Sequence, residues 1–572
     1  MKFLVLLLIL FTSCANGEKS LEVERGNTRY GGYLAFASVS DPKSFNPVLA
    51  KETSTTSITG LIFEGLTRVN VYTKEAEPNL AKSWQIKRGG KEWVFYLRED
   101  VKWNDGVPFS ADDVVFTFNS LIYNSKIPSS ASDVLKVDGE PFKVEKIDDY
   151  SVRFTLSSNY APFLMAMGTD ILPKHILADV VKADKFNSFW TLDSTPSGIV
   201  GTGPFKLSRY IPGQLVELVR NEHYWKKDKD GNSLPYLKGV RFLVVPNSDT
   251  ALLKFLDSEI DYYSLRGEDY AILKPEEKSK GFKIYEVGPA FGSSFITFNQ
   301  NNSINPKTQE TYIDKRKLEW FRDRRFREAV SYALDRSSII DIVLNGFGYP
   351  QSGPLSPSSG YFYNSNIEEH GYDLDRAKEL LSDIGFSDID SDGILEDKSG
   401  EDVSFNLFTN AENNVRVKIA ELIKEDLINV GIKVNFLPLE FNNLVTKLSS
   451  SYDWEAIILG FTGGIEPHFS SNIWLSSGHL HIWYPKQERP ATSWEAEIDK
   501  LFKDGVQALG RKKRKSIYDS WQEIASRELP LIYTAIPESI FAVRDKFGNL
   551  DPNPYGGVFH NIEEIYIINK EE

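Results

Sequence analysis

Three of the seven histidines, His468, His479 and His481, fall close together, which makes metal binding the first chemistry to weigh. In a strand, His479-Leu480-His481 would put both imidazoles on one face. A zinc-like ion needs further Cys, Asp or Glu donors. The one cysteine is Cys14 and no carboxylate stands at a matching spacing, so no metal is assigned to the histidines. A second oxygen-rich stretch, Asp388-Ile389-Asp390-Ser391-Asp392-Gly393-Ile394, resembles the first half of a calcium loop, with Asp388, Asp390 and Asp392 alternating and Gly393 at the sharp turn. Its twelfth position is Ser399 where a bidentate Glu belongs, although Glu396 and Asp397 are near, so a calcium loop and a plain acidic turn both stand as readings. Covalent chemistry finds little footing. The chain has no His-Glu-x-x-His, no Gly-x-Ser-x-Gly and no Gly-x-x-x-x-Gly-Lys-Ser/Thr phosphate loop.

Cys14 has a different assignment. It follows Met1-Lys2 and the apolar run Phe3 to Phe11, too short for a membrane helix but suited to an export signal. Phe11-Thr12-Ser13-Cys14 resembles a lipobox, with Phe11 where Leu is usual, which makes Cys14 the site of lipidation and removes residues 1–13 from the mature protein. Residues 14–29 are small, polar and charged and read as a lipidated tether. No later segment approaches the roughly 18 apolar residues of a membrane helix. A formal charge of −14 excludes nucleic acid as a partner, because phosphates require a basic face. The one basic run, Arg511-Lys512-Lys513-Arg514-Lys515, reads as a solvated turn between two helices. A length of 572 residues implies several lobes.

The elements that must position these residues are mixed α and β. Glu92 to Arg98 reads as a strand, and Ala111 to Asn119 as a helix capped by Ser110. Val403, Phe405 and Leu407 alternate as a strand, and Val415, Ile419, Leu422, Ile423, Leu427 and Val430 keep helical spacing up to Gly431. Ile432 to Phe436, Phe441 to Leu448 and Ala456 to Leu459 then complete a βαβαβ run, so an open α/β sheet is expected. Ligands of such sheets gather beyond the carboxyl ends of strands, which points to the loop starting at Gly460. Thr492 to Glu495 has capping-box spacing, a second helix covers Ile517 to Arg527, and Leu531-Ile532-Tyr533 returns as a strand.

Several blocks line up with one family. Glu64-Gly65-Leu66, Ala81 to Trp84 and Phe95 to Gly106, continued by Pro108 to Val114, resemble the extracellular solute-binding proteins of the peptide and nickel transport group, family 5. The resemblance recurs at Gly201-Thr202-Gly203-Pro204-Phe205, at Phe255 to Asp261, at Arg325 to Ala329 and at Gly353-Pro354-Leu355, and spans about residues 30 to 540. It implies a two-lobed periplasmic-binding-protein-like α/β fold of type II with an extra inserted domain. Lobe I would take 30–70, 198–291 and 533–572, the inserted domain 71–197, and lobe II 292–532.

The same resemblance implies a ligand lying extended between the lobes, with an acidic residue pairing a peptide's α-amino group. The corresponding loop is Leu459 to His468, including Phe461, Thr462 and Gly463, and Gly464 stands where peptide binders commonly have aspartate. Either Glu466 supplies the missing carboxylate, or the ligand lacks a free amine. His468 would offer a hydrogen bond or a stacking surface, Phe461, Trp474, Tyr533 and Glu64 would form walls, and Asn472 a polar contact. The function so implied is a lipid-anchored, monomeric receptor without cofactor. It captures a small solute, an oligopeptide in first place, and delivers it to ABC permease subunits at a bacterial membrane. A non-peptide solute or metal complex, a secreted hydrolase, and a surface sensor or adhesin are the alternatives.

Overall fold

A computed structural model describes residues 29–129 and 131–568. The leader and Cys14 lie outside them. Strand β1 (Tyr33–Ser38) opens the fold, after which the chain leaves for a separate sheet: β2 (Ala81–Lys87), β3 (Glu92–Leu97), helix α1 (Ala111–Phe116), β4 (Lys143–Asp148) and β5 (Ser151–Thr155). These strands pair antiparallel in the order β2-β3-β5-β4. Trp93, Phe95, Trp103, Phe109 and Phe154 fill the core beside them, so the aromatic signature specifies packing. Asn104-Asp105-Gly106 is a turn, with Gly106 at φ +91°. The Asp113 carboxylate accepts the Ser110 N–H at 3.0 Å and closes the start of α1, which runs on as a π-helical turn, Thr117–Ile122.

The chain returns as β6 (Phe205–Ile211), β7 (Leu215–Arg220) and β8 (Gly239–Val244), giving the order β1-β8-β7-β6 with only β1 and β8 parallel. Gly201 meets Ile62 so closely that an added Cβ would lie 2.0 Å from the Ile62 carbonyl oxygen. Leu172, Leu177, Phe186 and Trp190 pack with Leu34, Phe45 and Phe205, so residues 71–197 divide their side chains between two cores.

After β9 (Tyr262–Ser264) and β10 (Phe282–Pro289) the second α/β body begins. It contains β11 (Ser293–Phe298), β12 (Ser404–Asn410), α2 (Asn414–Ile428), β13 (Lys433–Leu439), α3 (Phe441–Thr446) and β14 (Ala456–Phe461). Helices α4 (Ser493–Gln507) and α5 (Arg511–Glu528), then β15 (Ile532–Tyr533), complete it. The sheet order is β13-β12-β14-β11-β15, with β12 parallel to β13 and β14, which is the βαβαβ unit its periodicity predicts. Strand β16 (Ala535–Arg544) then crosses back between β9 and β10.

The basic run departs from expectation. Arg511 to Lys515 form the first turns of α5 rather than a solvated turn. Spacings of four and three put Arg514, Tyr518 and Trp521 on one helix face, and that face is buried. No helix among the described residues is long and apolar enough to cross a membrane.

Candidate ligand cavity

A cavity of about 1150 Å³ lies beyond the carboxyl end of β14. Lys51, Glu52 and Tyr555 line it from the body of β1, and Arg416, Phe461 and Tyr533 from the second body, so an occupant would touch both. The loop after β14 is shaped by Gly463, at φ +66°, where a Cβ would come 1.9 Å from the Phe291 carbonyl oxygen. No side chain fits there. Gly464, next to it, has open space around its missing Cβ and no left-handed backbone.

The edge of β14 changes character inside the cavity. Against β12 its pairing ends at Phe408↔Ile457, whereas β11 stays paired as far as Ser293↔Phe461. Leu459, Gly460 and Phe461 are therefore laddered on one side only, and all three line the cavity. Unpaired N–H and C=O groups along such an edge are a template for another extended chain.

Thr462, Asn472, Trp474 and Tyr533 also face the cavity. Trp474 and Tyr533 are rooted in the core and only 2 % exposed, so they are rigid walls. Asn472 Oδ1 is buried without a protein partner and offers an acceptor.

Other expected site residues sit differently. Glu466 borders the cavity, but its Oε1 is 2.5 Å from Arg514 Nη2 and also accepts the His468 N–H at 3.1 Å. Both side chains are at least nine-tenths buried, so Arg514 already balances the carboxylate that was expected to meet a ligand ammonium. His468 does not line the cavity; it is 4 % exposed and packs edge-on against Tyr160, with ring centroids 5.3 Å apart. Glu64 is outside as well, accepting the Trp225 indole N–H at 3.0 Å, and burial raises its pKa. Desolvation also lifts nearby Asp170 to about 7. The paired histidines do not share a site: they lie in a turn, His479 Nδ1 is 2.7 Å from Asp133, and His481 Nε2 is 3.4 Å from Glu495.

Asp388, Asp390, Asp392 and Glu396 bring carboxylate oxygens within 4.8 Å of one another. Each also accepts a backbone N–H of its own loop, as Asp388 does from Gly393 at 3.1 Å and Glu396 from Ile389 at 2.6 Å. Ser399 hydrogen-bonds Asp397 instead of joining them. These bonds leave both readings standing, and a chelator separates them: an unchanged melting temperature would leave a plain acidic turn, and a fall of several degrees would establish a bound ion.

Two buried histidines set a pH dependence. Burial, reinforced by Arg514, holds His468 down to about 3, and burial with Arg336 and Arg324 holds His370 down to about 4. Unfolded, both titrate near 6.5. As pH falls below about 6.5 the unfolded chain binds protons at these two positions that the folded one does not, so their contribution to stability declines until the folded residues protonate near pH 3 to 4. Asp170, raised to about 7, adds stability over the same range, so the histidine contribution is read as a difference. Between pH 7 and pH 5 the His370→Gln/His468→Gln variant should lose less stability, or gain more, than the unaltered chain by calorimetry, and identical pH responses would assign the effect to other groups.

The sequence profile of the bacterial extracellular solute-binding proteins, family 5 Middle, matches residues 75–480. The chain belongs to this family. A family 5 relative, the oligopeptide-binding protein AppA of Bacillus subtilis, is 29% identical over 582 residues, covering 99% of this chain and 97% of AppA. A probable ABC transporter-binding protein of Deinococcus radiodurans is 28% identical over 545 residues, covering 91% of this chain and 89% of its own. The solved structure of B. subtilis AppA in complex with a nonapeptide matches with a TM-score of 0.81 at 28% identity, over 95% of this chain and all of that one. The two-lobed α/β fold of type II periplasmic binding proteins, implied by the sequence blocks, is the fold of this family 5 member.

Arg416, Lys51, Gln487 and Tyr555 line the cavity without having been read from the sequence. They come from four separate segments, none of them marked by a motif.

Proposed function

We propose that this chain captures an oligopeptide in extended form and delivers it to the permease of an ABC importer, acting as a monomer without cofactor or catalysis. The bare edge of β14 carries the reading, since it offers main-chain hydrogen bonds to a strand-like ligand inside a cavity walled by aromatic rings. The AppA relative, whose name and complex both concern peptides, supports the same ligand class. Contacts from both bodies would favour the closed form in proportion to how far the ligand spans them. Acylation of Cys14 would hold the receptor at a bacterial membrane, and Cys14→Ser should release it from the membrane fraction.

The test is native mass spectrometry of the mature domain, followed by denaturing release and fragmentation of what co-purifies. A ladder of short peptides is expected. A single non-peptide species would overturn the peptide reading, and product formation from added peptides would overturn the receptor reading.

A further inference from the structure

The cavity holds a cation that no carboxylate among the described residues neutralises. Arg416 is half-buried in the first turn of α2, beneath the bare edge of β14, where a methyl on Gly460 would come 2.9 Å from its Nη2. Its one side-chain hydrogen bond goes from Nη1 to the neutral Asn410 Oδ1 at 3.0 Å. No carboxylate among the described residues lies within ion-pair distance. Burial alone lowers its pKa to about 10. Helix position does not account for it either: a cation in the first turn opposes the helix dipole, and α2 carries no acid there.

The rest of the cavity leans the same way. Glu466 is matched by Arg514, and Glu52 lies 3.9 Å from Lys43. Lys486 stacks on Tyr452, 5.3 Å from the ring centroid, and Lys51 is depressed in pKa by burial. Glu488 is the remaining acid of the lining, and Gly464 contributes no carboxylate at all. A half-buried guanidinium whose Nε and Nη2 have no hydrogen-bond acceptor among the described residues, at the end of an open strand edge, has the geometry to grip an anion through its fork.

We propose that Arg416 anchors a carboxylate of the bound ligand, so that this receptor holds a peptide by an acidic end rather than by its amine. The proposal rests on the peptide reading above. The carboxylate comes from the ligand's C terminus or from an acidic side chain, and the same peptides separate the two.

The experiment is titration calorimetry on the mature protein with one uncharged short peptide in three forms: free acid, C-terminal amide, and amide with an internal aspartate. The free acid should bind at least tenfold tighter than the amide, the size of a charge-assisted hydrogen bond. R416Q should bind acid and amide alike, and R416K, which keeps the charge but loses the fork, should fall between. Melting curves confirm that each variant is folded. Recovery of tight binding by the aspartate-bearing amide assigns the anchor to a side-chain carboxylate, and no recovery assigns it to the C terminus. Equal binding of acid and amide by the unaltered protein, or a preference that survives R416Q and R416K, overturns the proposal and leaves the peptide reading intact. Failure of every peptide to bind overturns both.

Discussion

Glu466→Gln should cost about 3–5 kcal/mol of stability, because it leaves the Arg514 guanidinium buried without its counter-charge. Arg514 has few substitutes for that partner: its Nε donates to the Gly505 carbonyl at 3.1 Å, and its fork lies near the rings of Phe362 and Tyr518. Arg514→Met should do comparable damage by stranding the carboxylate. The Glu466→Gln/Arg514→Met double variant should be more stable than the sum of the single losses predicts, since it removes both charges together. Differential scanning calorimetry is the appropriate readout. A chain of several lobes need not unfold in two states, so the transition containing α5 is the one to follow. A Glu466→Gln protein that melted normally yet lost ligand affinity would show that Glu466 serves the ligand and not the fold.

Gly464→Asp is the second large effect, and its sign is opposite. The position faces the cavity, its backbone suits any residue, and a new Cβ meets nothing within 4 Å. Stability should move by no more than about 0.5 kcal/mol, as for a substitution that buries and strains nothing. The new carboxylate would stand where the peptide-binding pattern places one. Affinity for a peptide with a free α-amine should rise by about 1.5–3 kcal/mol over that for its N-acetylated form. Equal gains for both forms would mean that the loop does not reach the ligand's amine. Gly463→Ala is the contrasting control: φ +66° and the 1.9 Å approach to Phe291 make it destabilising.

The βαβαβ unit was legible because β12 and β13 alternate with a period of 2, α2 keeps helical spacing up to Gly431 at φ +81°, and β14 is a short continuous apolar run. Its completion by β11 and β15 was not, since strand order depends on contacts between segments far apart in sequence. Arg514 illustrates the difficulty. Five basic residues in a row look solvated, but one of them lies on the Tyr518 face and meets a carboxylate 48 positions away. The histidines make the converse point: closeness in sequence did not bring His479 and His481 to one site, and they meet separate acids. Glu64 belongs to a specific family block, and its work is to receive the Trp225 indole. Such a block records packing as readily as binding.

On the proposed peptide reading, the one-sided pairing of Leu459 to Phe461 would set what the chain can and cannot discriminate. Every peptide presents the same repeating amides to such an edge, whatever its residues. A scavenger built this way would take in the mixed debris of proteolysis through one gene product, and its selectivity would lie in fragment length and terminal chemistry rather than in composition.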